Sequence, residues 1–184
     1  MAVVVVGGSG KDVGKTALVC AVIAALREFD WTAVKVTGHD YSASLDQLNE
    51  ATDASSVIRE ETCSAGETDT ARYLAAGARR ALLVTRTGAD VPLVEIRSAL
   101  GPDRNVIYES NRIVEAVKPD VCLALMGGTE RKSSFERLLR SADALVTMVG
   151  AKIEGLPEGI RRFELEHADR LPAQLVAWLR ERLH

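Results

Sequence analysis

Ten consecutive residues, Gly7-Gly8-Ser9-Gly10-Lys11-Asp12-Val13-Gly14-Lys15-Thr16, constrain this chain more than any other stretch. An apolar run at 2–6 leads into them, and a segment with helical spacing at 17–29 follows. A strand, a glycine loop and a helix start in that order make an anion-binding device. Glycines let backbone N–H groups turn toward an anion with no Cβ in the way, and a helix N-terminus adds about half a positive charge at the same place. The bland alternative is a glycine-rich strand-to-helix turn that holds no ligand.

The stretch follows the P-loop pattern G-x4-G-K-[ST] with one residue more, reading G-x5-G-K-T from Gly8, since Ser9 stands where the strict pattern has glycine. On this reading the nucleotide-binding residues are Gly8, Ser9, Gly10, Lys11, Asp12, Val13, Gly14, Lys15, Thr16 and Ala17. Lys15 reaches the β and γ phosphates of a nucleoside triphosphate, and the Thr16 hydroxyl serves Mg²⁺. Lys11 either adds a second cation or points to solvent.

A chain of 184 residues with 47% hydrophobic content is long enough for one well-buried α/β core and short for two, so residues 1–184 are expected to form a single nucleotide-binding domain. The net charge of −3 is spread without a basic stripe, which argues against a nucleic-acid partner. Cys20, Cys63 and Cys122 are odd in number and far apart, so neither a disulfide framework nor a cysteine metal site is expected. The longest apolar run of the first helix, 17–26, is about half of the ~20 residues that span a bilayer. The sequence reads as a soluble, cytoplasmic protein with no membrane partner.

Apolar runs recur at 2–6, 33–37, 81–85, 105–108, 121–126 and 144–149, with helical spacing at 14–29, 68–76, 91–100, 111–117, 133–141 and 172–183 between and after them. Runs without polar alternation, separated by helices, predict an α/β three-layer fold with a mostly parallel central sheet of about six or seven strands. Residues 41–67 break the rhythm, being rich in Ser, Thr, Asp and Glu. They read either as an insertion over the site, with short helices near 45–51 and 54–59, or as a solvated surface excursion.

Ligands of such sheets sit at the carboxyl ends of the strands. After the second run come Lys35, His39 and Asp40, of which Asp40 is a candidate for Mg²⁺ and for catalysis, and His39 either orients a water or phosphate or is an ordinary loop residue. After the fourth run Glu109 closes a hydrophobic strand as a Walker B acid does, and is a candidate for the metal and for catalysis together with Lys15, or else caps a helix beginning near Asn111. Asp69 and Arg72 share a helix face as substrate or switch candidates, with plain capping by Thr68 or Asp69 as the alternative. Beyond the sixth run, Lys152 and Glu154 stand where guanine-specific P-loop proteins keep N-K-x-D, which points weakly to GTP over ATP.

The glycine loop, Lys35 through Asp40, Gly66-Glu67-Thr68-Asp69-Thr70-Ala71-Arg72 leading to Ala76-Gly77-Ala78, Val106 through Glu109, and Lys118-Pro119-Asp120 together resemble the molybdopterin-guanine dinucleotide biosynthesis protein B family, MobB. The resemblance covers about 1–150 in order. It implies a three-layer P-loop NTPase fold and a GTP-binding, slowly hydrolysing accessory protein that assists a molybdopterin-handling enzyme, often as a homodimer. It also implies that Lys15 and Thr16 serve phosphate and Mg²⁺ while Asp40, Asp69 and Glu109 line the site. This chain departs from the family in a longer interval between Lys35 and Asp69, in Glu67 where the family has lysine, and in Ser110 where it has glycine. The G-x5-G-K-T spacing is also similar to that of dethiobiotin synthetase, an ATP-dependent ligase. A third reading is an adaptor in which nucleotide orders 41–67 without turnover.

Overall fold

All six apolar runs are strands of one sheet: β1 (Val3–Gly8), β2 (Thr32–Thr37), β4 (Arg80–Thr85), β5 (Val106–Glu109), β6 (Val121–Met126) and β7 (Ala144–Met148). The structure is a computed structural model that describes residues 1–38, 57–85, 90–127, 132–151 and 159–184. Two further strands, β3 (Val57–Glu60) and β8 (Arg161–Leu165), lie at its edges and bring the sheet to eight, in the order β3-β4-β2-β5-β1-β6-β7-β8. Every pairing is parallel except β3 with β4.

The two additional strands correct the expected six or seven, and both carry charges that hide them from a search for apolar runs. Charged edge strands are common because they discourage pairing with other chains. The helix expected at 54–59 is, in its described part, strand β3. Its partner β4 opens with Arg80, whose guanidinium grips both Glu60 carboxylate oxygens at 2.8 and 2.7 Å and holds the segment extended. At the other edge, Phe163 of β8 packs on Trp178 with ring centroids 5.4 Å apart. The expected helix at 111–117 shrinks to a single 3₁₀ turn, Ile113–Glu115. So short a stretch ahead of Pro119 does not nucleate an α-helix, because the residue before a proline is pushed out of the helical region.

Strand side chains alternate between the faces, and here both faces are apolar. Val4, Val6, Leu123 and Leu125 face helices α1 (Lys15–Ala25), α2 (Asp69–Ala76) and α5 (Ala173–Leu183). Val5, Cys122, Ala124 and Met126 face α3 (Leu93–Leu100) and α4 (Ser133–Arg140). This is the three-layer arrangement expected of near-continuous apolar strands. Burial raises the Cys20 and Cys122 thiols to about 11 and about 12, which leaves both un-ionised and inert at neutral pH. Among the described residues no helix is long and apolar enough to cross a membrane. Helix α2 is closed at both ends by local chemistry: the Thr68 hydroxyl accepts from Ala71 N at 3.1 Å, and Gly77 (φ 108) takes the left-handed cap.

Gly7 is glycine for a packing reason. A Cβ there would lie 2.2 Å from Cδ1 of Leu138 on α4 and 2.6 Å from Oδ1 of Asn111. Gly7→Ala is therefore expected to lower stability by about 1–3 kcal/mol, the usual cost of overpacking. Urea unfolding with an unchanged slope and a lowered midpoint would show it, and an unchanged midpoint would refute the close approach.

Candidate phosphate-binding site

The loop between β1 and α1 is built in two parts. The first is pinned to the protein. Asn111 receives the Gly8 N–H on Oδ1 (2.8 Å) and donates Nδ2 to the Gly8 carbonyl (2.9 Å). Ser9 is fully buried, its hydroxyl donates to Gly127 O (2.9 Å) and accepts from Gly127 N (3.1 Å), and its N–H goes to Leu125 O (3.0 Å). Neither polar group of Ser9 faces the cleft. The serine that interrupts the glycine pattern is thus a bolt joining the loop to the end of β6.

The second part is open. Asp12 (φ 58) and Gly14 (φ 98) both lie in the left-handed region, so the chain coils back on itself and turns successive amides to one side. Aspartate tolerates that conformation better than most side chains. Helix α1 has no side-chain cap, and its first bond outside the helix proper runs from Leu18 N to Gly14 O at 2.9 Å. Among the described residues nothing accepts from the N–H groups of 10–17. An uncapped helix start with a nest of amides is an anion site in waiting. Lys15 Nζ meanwhile donates to Gly10 O at 2.6 Å. Burial lowers its pKa, Glu109 opposes that, and the like charges of Lys35 and Lys132 add to it.

Beside the loop sits a carboxylate cluster centred on Glu109, which is 4% exposed. The sheet register puts Glu109 opposite Val6 on β1 and opposite Lys35 on β2. Its Oε2 accepts from Thr16 Oγ1 (2.8 Å) and from the Tyr73 hydroxyl, and its Oε1 accepts from Lys35 Nζ (3.2 Å). Lys35 also bonds Asp69, which faces Arg72 Nη1 at 3.7 Å. Burial alone would lower the Lys35 pKa, yet Glu109 and Asp69 outweigh it and hold the ammonium above its ordinary value. Burial likewise works to raise Asp69, and the bond from Lys35 reverses the sign. Tyr73 is raised well above its ordinary value by burial and by Glu109, so it stays a neutral donor.

One cleft of about 540 Å³ gathers Gly10, Lys11, Asp12, Gly14, Lys15, Thr16 and Ala17 with Lys35, Asp69, Arg72 and Glu109. Gly8, Ser9 and Val13 lie behind it, and Val13 packs against the core. His39, Asp40, Lys152, Glu154 and most of 41–67 fall outside the described residues. Sequence reasoning missed Tyr73, Asn111 and Lys132. Tyr73 was findable, since it stands four residues after Asp69 on the same helix face. Asn111 and Lys132 act from loops whose approach to the glycine turn depends on the strand order.

Hard-oxygen chemistry suits this cluster. Mg²⁺ takes one or two carboxylates together with phosphate oxygens, and Thr16 Oγ1, Glu109 and Asp69 supply a hydroxyl and two carboxylates on one side of the loop. Among the described residues no group of three or more His, Cys, Asp or Glu side chains gathers without a ligand's help. The residues fit an ion shared with a phosphate, and do not form a cage of their own.

Two solved structures share the architecture. The crystal structure of the apo form of LpxK from Aquifex aeolicus in complex with ATP superposes with a TM-score of 0.51 at 17% identity, over 89% of this chain and 53% of that one. This chain thus spans about half of LpxK. The crystal structure of a MobB protein homolog from Bacillus stearothermophilus gives 0.50 at 17% identity, over 100% of this chain and 98% of that one. No protein-family model matches the sequence, and no curated protein matches it. At this identity the likeness concerns the fold alone: an α/β fold with a mostly parallel sheet, with eight strands and five α-helices among the described residues.

The bond to Lys35 makes a pH signature. Asp69 titrates below its ordinary 3.8 in the folded chain, so its contribution to stability is complete above that value and is lost as pH falls through the depressed one. The stability gap between the wild type and Asp69→Asn is expected to be widest near neutral pH and to be narrower at an acid pH below 3.8. Urea midpoints for the two proteins at both pH values test this, and a gap that does not change with pH would break the assignment.

Proposed function

We propose that this chain binds a purine nucleoside triphosphate with Mg²⁺ at the loop and hydrolyses it slowly, as a MobB-like accessory protein that assists a molybdopterin-handling enzyme. The observation that carries the binding is that residues 10–12 and 14–17, whose N–H groups donate to nothing among the described residues, line the same cleft as Lys35 and Glu109, with Thr16 bonded to Glu109. The amides and the helix start hold the phosphates, and Lys15 exchanges the Gly10 carbonyl for phosphate oxygens. Mg²⁺, when bound at Thr16 and Glu109, neutralises charge on the phosphates. Tyr73 and Lys35 fix both oxygens of Glu109, so that a carboxylate of set orientation faces the attacking water. Slow turnover fits an arginine engaged elsewhere: Arg72 pairs with Asp69 at 3.7 Å.

The accessory role and the MobB-like pathway rest on the order of the sequence segments and on the full-length likeness to the MobB homolog. Lys152 and Glu154 point weakly to GTP, and ATP is the nucleotide that the LpxK structure contains. The reading includes a homodimer, as in the MobB family. A dethiobiotin synthetase-like reaction would need Lys35 for its substrate, whereas here Asp69 and Glu109 hold that ammonium.

Calorimetric titration with GTP and ATP side by side in Mg²⁺ tests the reading. Lys15→Ala is expected to weaken triphosphate binding at least about a hundredfold, close to 3 kcal/mol. Unchanged affinity in that variant would remove the loop from the function. Glu109→Gln is expected to slow phosphate release more than tenfold while changing nucleotide affinity about threefold or less. Equal turnover in the two proteins would take Glu109 out of the reaction.

A further inference from the structure

The two carboxylates that suit a metal already hold a cation. Lys35 stands on β2 opposite Glu109 of β5, and its ammonium lies between that carboxylate and Asp69 of α2. Lys35 Nζ donates to Glu109 Oε1 at 3.2 Å and to Asp69 Oδ2. The other Glu109 oxygen takes Thr16 Oγ1 and the Tyr73 hydroxyl. Thr16 is also near enough to Asp69 to favour its charged form. One hydroxyl and two carboxylates thus meet around one ammonium.

A lysine between two acids is most often a plain ion pair. Here the partners have a chemistry of their own, because a hydroxyl and carboxylates are the oxygen donors that Mg²⁺ takes together with phosphate. An ammonium and a divalent ion compete for the same oxygens. Bonded to both carboxylates, the Lys35 ammonium cancels much of the charge that would draw a free metal ion, and its side chain is only 16% exposed, so water competes little for it. The Thr16 and Tyr73 hydroxyls carry no charge and cannot do the same.

We propose that Lys35 is a resident cation that keeps a free divalent metal ion away from Thr16, Asp69 and Glu109 in the nucleotide-free chain. This rests on the nucleotide reading above for the position of the metal, and deepens it by naming the residue that regulates metal entry. On that reading the phosphates bring the negative charge that Lys35 withholds, and the metal arrives with the triphosphate and not ahead of it.

Taking the charge away should create a metal site that the wild type lacks, a gain that damage to the fold does not produce. Mn²⁺ suits the same hard oxygen donors as Mg²⁺, and its free concentration is read by electron paramagnetic resonance as it is titrated into nucleotide-free protein. Lys35→Met is expected to bind Mn²⁺ at least about tenfold more tightly than the wild type, and Lys35→Arg, which keeps the charge, no more tightly than the wild type. Adding Glu109→Gln to Lys35→Met is expected to abolish the gain. Urea midpoints check folding, and Mn²⁺ is expected to raise that of Lys35→Met and not that of the wild type. Equal Mn²⁺ affinity in the wild type and Lys35→Met overturns the proposal, as does a gain shared by Lys35→Arg or kept by the double variant. Should Lys35→Met fold neither with Mn²⁺ nor without it, Lys35→Gln takes its place: the same gain supports the proposal, and no gain overturns it. No nucleotide enters these titrations, so failure of the nucleotide reading shows separately, as a wild type that takes no triphosphate in Mg²⁺.

Discussion

A carboxylate withdrawn from water must be answered by donors, and Glu109 is answered on every side. Thr16 reaches it from the helix start, Tyr73 from α2 and Lys35 from the neighbouring strand. Removing one partner of such a buried group costs far more than the net worth of the bond, because the charge is left unsatisfied. The cluster therefore joins β2, β5, α1 and α2 at one point and makes the position of the loop's last residue depend on the packing of the α2 layer. Among the described residues no buried side-chain polar atom lacks a partner. The candidate chemistry is thus built from groups that also hold the fold together.

The loop shows a division between anchoring and presentation. Gly8 and Ser9 spend their hydrogen-bonding capacity on Asn111, Leu125 and Gly127, and only after them does the backbone turn its amides outward. Anchoring of this kind keeps the donors in place, so that an anion bound as proposed would need little reorganisation. The parallel strands supply the rest, since β5, β1 and β6 lie side by side and bring Glu109, the loop and Gly127 to the carboxyl end of the sheet.

Much of this was legible in the sequence, for reasons that can be named. Long apolar runs such as 121–126, bounded by turn residues and without polar alternation, read as central strands, and the glycine-lysine-threonine turn reads as an anion cradle or as a strand-to-helix turn. Lys35, Asp69 and Glu109 stood out as charges at strand and helix ends, and the structure brings all three into one cleft. What escaped was set by pairing across the sheet. Val57 to Glu60 became a strand because Arg80 waits beside it, and β8 because Phe163 finds Trp178. Ser9 read as a ligand, and its burial shows a fastener. Asn111 read as the start of a helix, whereas it clasps Gly8.

Lys15 resting on the carbonyl of Gly10 has a consequence for selectivity. The cradle is its own first competitor: an incoming anion must outbid an internal dipole before it gains the ammonium. A single weakly charged phosphate has little with which to do so, whereas a chain of phosphates engages several amides at once and draws the lysine away. If the loop binds phosphate as proposed, discrimination by polyphosphate length is thereby written into the resting state, ahead of any contact with sugar or base.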